Sequence, residues 1–137
     1  MRTLELFFAA FVLSLIAHEF THYVILRRGG AHPRSMLRYK PWLGVISLGL
    51  GWAYDPRAVS QAVRLQSYQL ANIVGLAVWV VGALVNPSMG VFYLGAGVIM
   101  LVSNWYFPRT DGWNYRRIRR EACKQASVAD GSPSTSL

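Results

Sequence analysis

The sequence predicts a small, mainly α membrane protein, with three transmembrane helices and a short strand or hairpin segment between helices one and two. Three observations predict it. Of the 137 residues, 53% are hydrophobic and 15% charged, against a charged fraction of roughly 25% in soluble domains. The apolar residues fall into runs at about 4–26, 66–85 and 89–107, each long enough to cross a bilayer core as a helix. The basic residues behind the net charge of +8 flank those runs. That distribution points to lipid headgroups as partner and away from nucleic acid. Cys123 is the single cysteine, which excludes an intramolecular disulfide and a four-cysteine zinc site.

The first run, Leu4 to Leu26, ends at Arg27, Arg28, Gly29 and Gly30. With Arg2 before it, the run imitates a signal peptide. It is too long for one, however, and lacks a small-residue cleavage site, so a retained span is expected. Inside it stands His18-Glu19-Phe20-Thr21-His22. On a helix His18 and His22 lie one turn apart on one face, where both imidazoles reach a single metal ion. Neutral imidazole suits Zn²⁺, and a third protein ligand leaves one position for water. Glu19 stands beside that face, where it can take a proton from the water and pass it to a leaving amine. A lone histidine on an apolar helix is ordinarily a hydrogen-bonded core residue. A charged side chain at the centre of a span costs about 2.5–3.5 kcal/mol on insertion scales, so this cluster reads as a functional site. Counted back from Arg27 at about 1.5 Å per residue, Glu19 lies on the order of 12 Å inside the membrane.

Residues 31–41, with His32, Arg34, Arg38, Lys40, Pro33 and Pro41, read as a basic loop. Leu43 to Trp52 (LGVISLGLGW) is too short to span as a helix and rich in Gly and β-branched residues, so it reads as strand or hairpin. An open strand edge cannot face lipid; it must pack on the helices or line a wet cavity, where it can pair with an unwound peptide. Asp55-Pro56 reads as the start of the second helix, with Asp as cap and Pro first. That helix carries Asn72 and ends at Asn86-Pro87-Ser88, a connection short enough to return the third span antiparallel. Met89 to Phe107 is the third span, with Gly95 and Gly97 allowing close helix contact. Trp113 to Lys124 carries Arg116, Arg117, Arg119, Arg120 and Lys124 and reads as an interfacial basic helix, or else a solvated basic tail. Residues 127–137 read as disordered. Because the 86–90 connection holds no Lys or Arg while 27–41 and the tail hold most of them, the active-site end of the helices is expected to face the cytoplasm.

Two motifs now stand together, and the chain resembles the site-2 protease family of intramembrane zinc metalloproteases over residues 1–120, with 121–137 as a basic to disordered cytoplasmic tail. His18-Glu19-Phe20-Thr21-His22 is similar to the family's first core motif. Asn104, Pro108, Asp111 and Gly112 resemble its second, an Asn-Pro-containing stretch ending in Asp-Gly whose aspartate binds zinc. Leu70-Ala71-Asn72 resembles its second core helix, without the Gly-Pro that usually precedes the Asn. The spacing from Asn104 to Asp111 also departs slightly, and the 137 residues include no PDZ-like domain. The resemblance implies one zinc ion held by His18, His22 and Asp111, with Glu19 as general base. It also implies single-span transmembrane proteins or peptides as substrates.

Elimination among the other candidate ligands also favours Asp111. Glu5 is about 20 Å from His18 along one helix, Asp55 is explained by capping, and Glu121 and Cys123 lie in the basic tail. His32 stays open as an alternative ligand, on a loop poorly suited to hold one rigidly. Asn72 and Asn104 are expected to face the cleft and bind substrate backbone, since an unpaired amide in a membrane is costly; bonding between helices is the other use for Asn72. A rival function is a non-catalytic membrane protein that binds metal or substrate, for which Glu19 has no evident purpose. Haem ligation fails on geometry, because residues four apart on one helix cannot reach opposite faces of one haem.

Overall fold

The computed structural model of the chain describes residues 2–42, 45–106 and 110–129. The order of elements is helix α1 (Arg2–Arg28), strands β1 (Arg34–Trp42) and β2 (Val45–Ala53), and helices α2 (Gln61–Val85), α3 (Gly90–Tyr106) and α4 (Asp111–Ala129). The architecture is mainly helical with one two-stranded hairpin. Three stretches, Thr3–Arg28, Gln61–Val85 and Pro87–Lys124, are long and apolar enough to cross a membrane.

The distribution of side chains is inverted relative to a water-soluble bundle. Large apolar residues such as Leu4, Phe8, Ile16, Leu84, Val91 and Ile99 lie exposed along the outer faces. Among the described residues the buried polar side chains are Ser14, His18, His22 and Ser67, all between α1 and α2. Small residues let these helices approach. Ser14, His18 and His22 on α1 meet Gly75, Ala71 and Ser67 on α2, so each step of four along one helix is matched by a step of four backwards along the other. The line continues at both ends into apolar contacts, with Ala10 in a cluster with Trp79 and Leu26 in one with Val63. Two antiparallel helices joined along rows of residues four apart, with Gly, Ala and Ser at the contact, are held by close packing and interhelical hydrogen bonds.

Helix α1 stops where expected, and the stop is a Schellman turn. Gly30, at φ 94°, takes the left-handed conformation that glycine adopts without strain. The Ala31 amide then bonds the Leu26 carbonyl and the Gly30 amide bonds that of Arg27. Ala31 and Leu26 are buried together under Val59, Trp52 and Tyr54.

Three boundaries and one glycine contact differ from the sequence reading. The basic stretch 31–41 is not a loop: Arg34–Trp42 pairs antiparallel with Val45–Ala53, from Arg34 opposite Ala53 to Trp42 opposite Val45. Only over residues 37–40 does the sequence alternate, Leu37 and Tyr39 with Arg38 and Lys40, a signal short enough for the charges and prolines to mask. A two-stranded ribbon has a free edge on each strand, where a proline costs no ladder bond. Leu43 and Gly44 lie outside the described residues. Asp55 does cap, accepting from the Arg57 amide, but only a single 3-10 turn, Pro56–Ala58. Val59 then goes extended to reach the cluster under Leu26, and α2 starts afresh at Gln61 with Ser60 as its cap. Of the two glycines singled out in α3, Gly97 packs on Leu76 and Trp79, whereas Gly95 meets nothing within 4 Å. A glycine missed in the contact with α3 was Gly82, where a Cβ would stand 2.5 Å from the Tyr93 ring. Finally α4 begins at Asp111 and continues to Ala129, two residues earlier and several later than the basic segment alone suggested. Phe107, Pro108, Arg109 and the tail from 130 lie outside the described residues.

Candidate metal centre

His18 and His22 lie on the buried face of α1, 8% and 6% exposed, with ring centroids 5.0 Å apart. Helix α2 fixes both rings from behind. His18 Nδ1 lies 3.0 Å from the Ala71 carbonyl, and His22 Nδ1 lies 2.7 Å from Ser67 Oγ, while the His22 ring packs edge-on against Tyr68. A carbonyl oxygen can only accept, so the His18 proton sits on Nδ1 and Nε2 is left to face the site. The Ser67 hydroxyl pairs with His22 Nδ1 on the same side, leaving its Nε2 to face the site as well. Partners of this kind set the tautomer and orientation of metal-binding imidazoles.

Into the space between the two Nε2 atoms comes Asp111, from the first turn of α4. Its Oδ2 lies 2.7 Å from His18 Nε2 and 2.8 Å from His22 Nε2. The three ligand atoms lie within 4.8 Å of one another. Two ligand atoms bonded at about 2.0–2.1 Å to one tetrahedral ion stand about 3.3 Å apart, so the carboxylate, at hydrogen-bond distance from both rings, would draw back by about half an ångström to admit one. Two imidazole nitrogens and one carboxylate oxygen form a donor set that can hold a metal ion. His32, the alternative ligand, lies exposed and bonds Arg27 instead.

The delivery of Asp111 depends on the junction of α3 and α4. Thr110 Oγ1 donates to the Asn104 carbonyl, and the Asn114 amide bonds the Thr110 carbonyl to open α4. Gly112 is buried here, and a Cβ on it would lie 2.6 Å from both the Asn104 carbonyl oxygen and the Trp105 Cα. Its role is therefore close packing of α4 on the end of α3.

Glu19 follows His18 on α1 and is half-buried. Its carbonyl accepts a hydrogen bond from Trp52 Nε1 at 3.0 Å, and Trp52 also packs on Tyr23. Those contacts anchor the end of β2 beside Glu19. Asn72 and Asn104 are brought to each other: Asn104 Nδ2 donates to Asn72 Oδ1 at 2.9 Å, and Asn72 Nδ2 to the Tyr68 carbonyl at 2.9 Å. Both line a cavity of about 280 Å³ between α2, α3 and α4, together with Tyr68, Gln69, Gly112 and Arg119.

Sequence reasoning missed Ser67, Ala71 and Gly75. A signal for them was present. Small residues recur every fourth position on α2, in the same period as Ser14, His18 and His22 on α1, which is the small-residue pattern of contacting membrane helices. Ser67→Ala is expected to weaken metal binding by about 10–100-fold while leaving the ligands in place. Competition with a chelator of known affinity measures it, and unchanged affinity would remove Ser67 from the site.

The chain matches no family model, and no curated protein or solved structure matches it.

Proposed function

We propose that the protein is a zinc-dependent intramembrane endopeptidase of the site-2 protease type, cutting transmembrane proteins or peptides near the cytoplasmic face of the cell membrane. The observation that carries this reading is the meeting of Asp111 with His18 and His22, groups 93 and 89 residues apart in sequence, with the outer nitrogens of both rings already tied to α2. Nitrogen and carboxylate donors numbering three, with a fourth position open, are the set of a catalytic zinc site. Zinc held there supplies the Lewis acidity that makes water a competent nucleophile at neutral pH.

The chain's own residues do the rest. Glu19 takes the proton from the attacking water and hands it to the departing amine. The bond from Trp52 to the Glu19 carbonyl holds the hairpin end beside the reacting centre, and a free strand edge there pairs with an unwound substrate segment by strand addition. Asn72 and Asn104, bonded to each other between α2 and α3, leave the Asn104 Oδ1 to accept from substrate backbone in the cavity that they line. Exposed apolar faces on three helices support a bilayer as the surrounding medium.

Purified protein is expected to carry one zinc per chain and to cut a single-span substrate in liposomes. Protein that binds zinc and cuts nothing would favour the non-catalytic alternative. The orientation rests on the basic residues, which place the 86–90 connection outside and the tail in the cytoplasm. Cysteine labelling at Ser88 and at the tail is expected to report opposite sides. Labelling from the same side would refute the three-span topology.

A further inference from the structure

We propose that Trp113, Arg116, Arg117 and Arg120 on α4 form a binding site for the headgroup phosphate of an anionic phospholipid, and that its occupation steadies α4 and hence Asp111. The first half rests only on the chain being embedded in a bilayer. The second half also rests on the metal site, but not on proteolysis.

These four residues wall a cavity of about 270 Å³. Three of the four are arginines, whose planar guanidinium forks suit the oxygens of a phosphate. Aromatic rings hold two of them in place. The Arg117 guanidinium lies over Trp113 at 5.3 Å, and that of Arg116 over Trp105 at 5.2 Å and Tyr106 at 5.7 Å. Glu121 is the one acidic residue between Gly112 and the end of α4. It reaches Arg117 at 3.4 Å, in a pair exposed on both sides, and such a pair adds little. Like charges gathered on one helix face repel, and an anion shared among them relieves that repulsion.

The position of the cluster names the anion's source. Gln61, at the start of α2, donates to the Ile118 carbonyl of α4 at 3.0 Å. Ile118 itself is buried, so α4 is docked on the bundle at the end where the apolar stretch of α2 begins. The end of α1, with Arg27 and Arg28, lies at this level too. Trp and Tyr beside Arg at the end of membrane spans is the composition of the headgroup layer.

The coupling to Asp111 runs through Trp105. That residue carries Arg116 over its ring and receives Gly112 against its Cα. A headgroup that holds Arg116 therefore bears on the contact that positions the first turn of α4.

The test uses the full chain. Wild type, the triple variant Arg116→Gln/Arg117→Gln/Arg120→Gln, the single variant Arg120→Gln and a control, Arg28→Gln/Arg57→Gln, are exchanged into mixed phosphatidylglycerol and phosphatidylcholine. Retained lipid is then counted by native mass spectrometry. Wild type and control are expected to retain phosphatidylglycerol selectively, with selectivity falling about fivefold in Arg120→Gln and about a hundredfold in the triple variant. Arg120 is exposed, so the single variant tests the site without disturbing packing. In phosphatidylglycerol nanodiscs zinc loss to a chelator is expected to be several-fold slower than in phosphatidylcholine, for wild type and control only. Undiminished selectivity in Arg120→Gln, an equal loss in the control, or displacement of the lipid by an equal concentration of glycerol phosphate or of an acidic peptide would each overturn the headgroup site. Equal zinc loss in both lipids would overturn the coupling. Lipid retention without any peptide cleavage would leave this inference standing and count against the proposed protease.

Discussion

Replacing Glu19 with Gln is expected to abolish peptide-bond cleavage and leave the zinc in place. Gln keeps the length and hydrogen-bonding capacity of the side chain and cannot take a proton. The metal ligands are other side chains, each with its own support from α2 or α4, so the ion has no reason to leave. General-base catalysis alone is worth about 10²–10⁴ in rate, which sets the minimum loss. Metal analysis and a cleavage assay on the same preparation separate the two effects. Near-normal turnover would sink the mechanism, and loss of zinc together with activity would make Glu19 a ligand and not the base.

Asp111→Ala is expected to reduce zinc from one per chain to a small residue, with activity lost to the same degree. His18 and His22 alone are two ligands where a catalytic site takes three. His32→Ala serves as the counterpart: its ring bonds Arg27, so both zinc and activity should survive. Asp111→Ala retaining both while His32→Ala loses them would exchange the two assignments. The pair of variants also tests the fold, because only the observed start of α4 puts residue 111 opposite the histidines.

How much of this was legible in the sequence depended on whether the cause was local. Helix α1 and its histidine pair follow from spacing and from an apolar run closed by Gly29-Gly30, all within thirty residues. Asp111 was reached by elimination and by the resemblance, since no local pattern ties it to His22. The hairpin was half legible: its apolar strand was recognised, and its basic partner was hidden behind charge and two prolines. The second helix was placed one turn too early because the cap at Asp55 is genuine, yet the pull of Leu26 on Val59 breaks the helix there. Ser67 and Ala71 were missed because their importance lies in what faces them. Small residues in a membrane helix carry meaning only once a partner helix and a register are known, and Gly95 and Gly97, two residues apart with opposite outcomes, show how little the residue type alone decides.

The line of contacts between α1 and α2 involves no metal ligand atom: Ser14 bonds Gly75, and both histidines bond α2 through the nitrogen turned away from the site. Asp111, by contrast, reaches the site from the far side of a loop of some ninety residues, and an ion bound there would close that loop more firmly than its bonds to the two histidines. In that sense a bound metal would act as a removable clasp closing a long chain loop, of the kind that in a disulfide is worth about 4–5 kcal/mol. Without the clasp the α1–α2 pair is whole, and the first turn of α4 is still held by the Thr110–Asn104 bond and by Gly112 against Trp105. The imidazoles are thus oriented by α2 alone, and an ion would have only the Asp111 carboxylate left to fix.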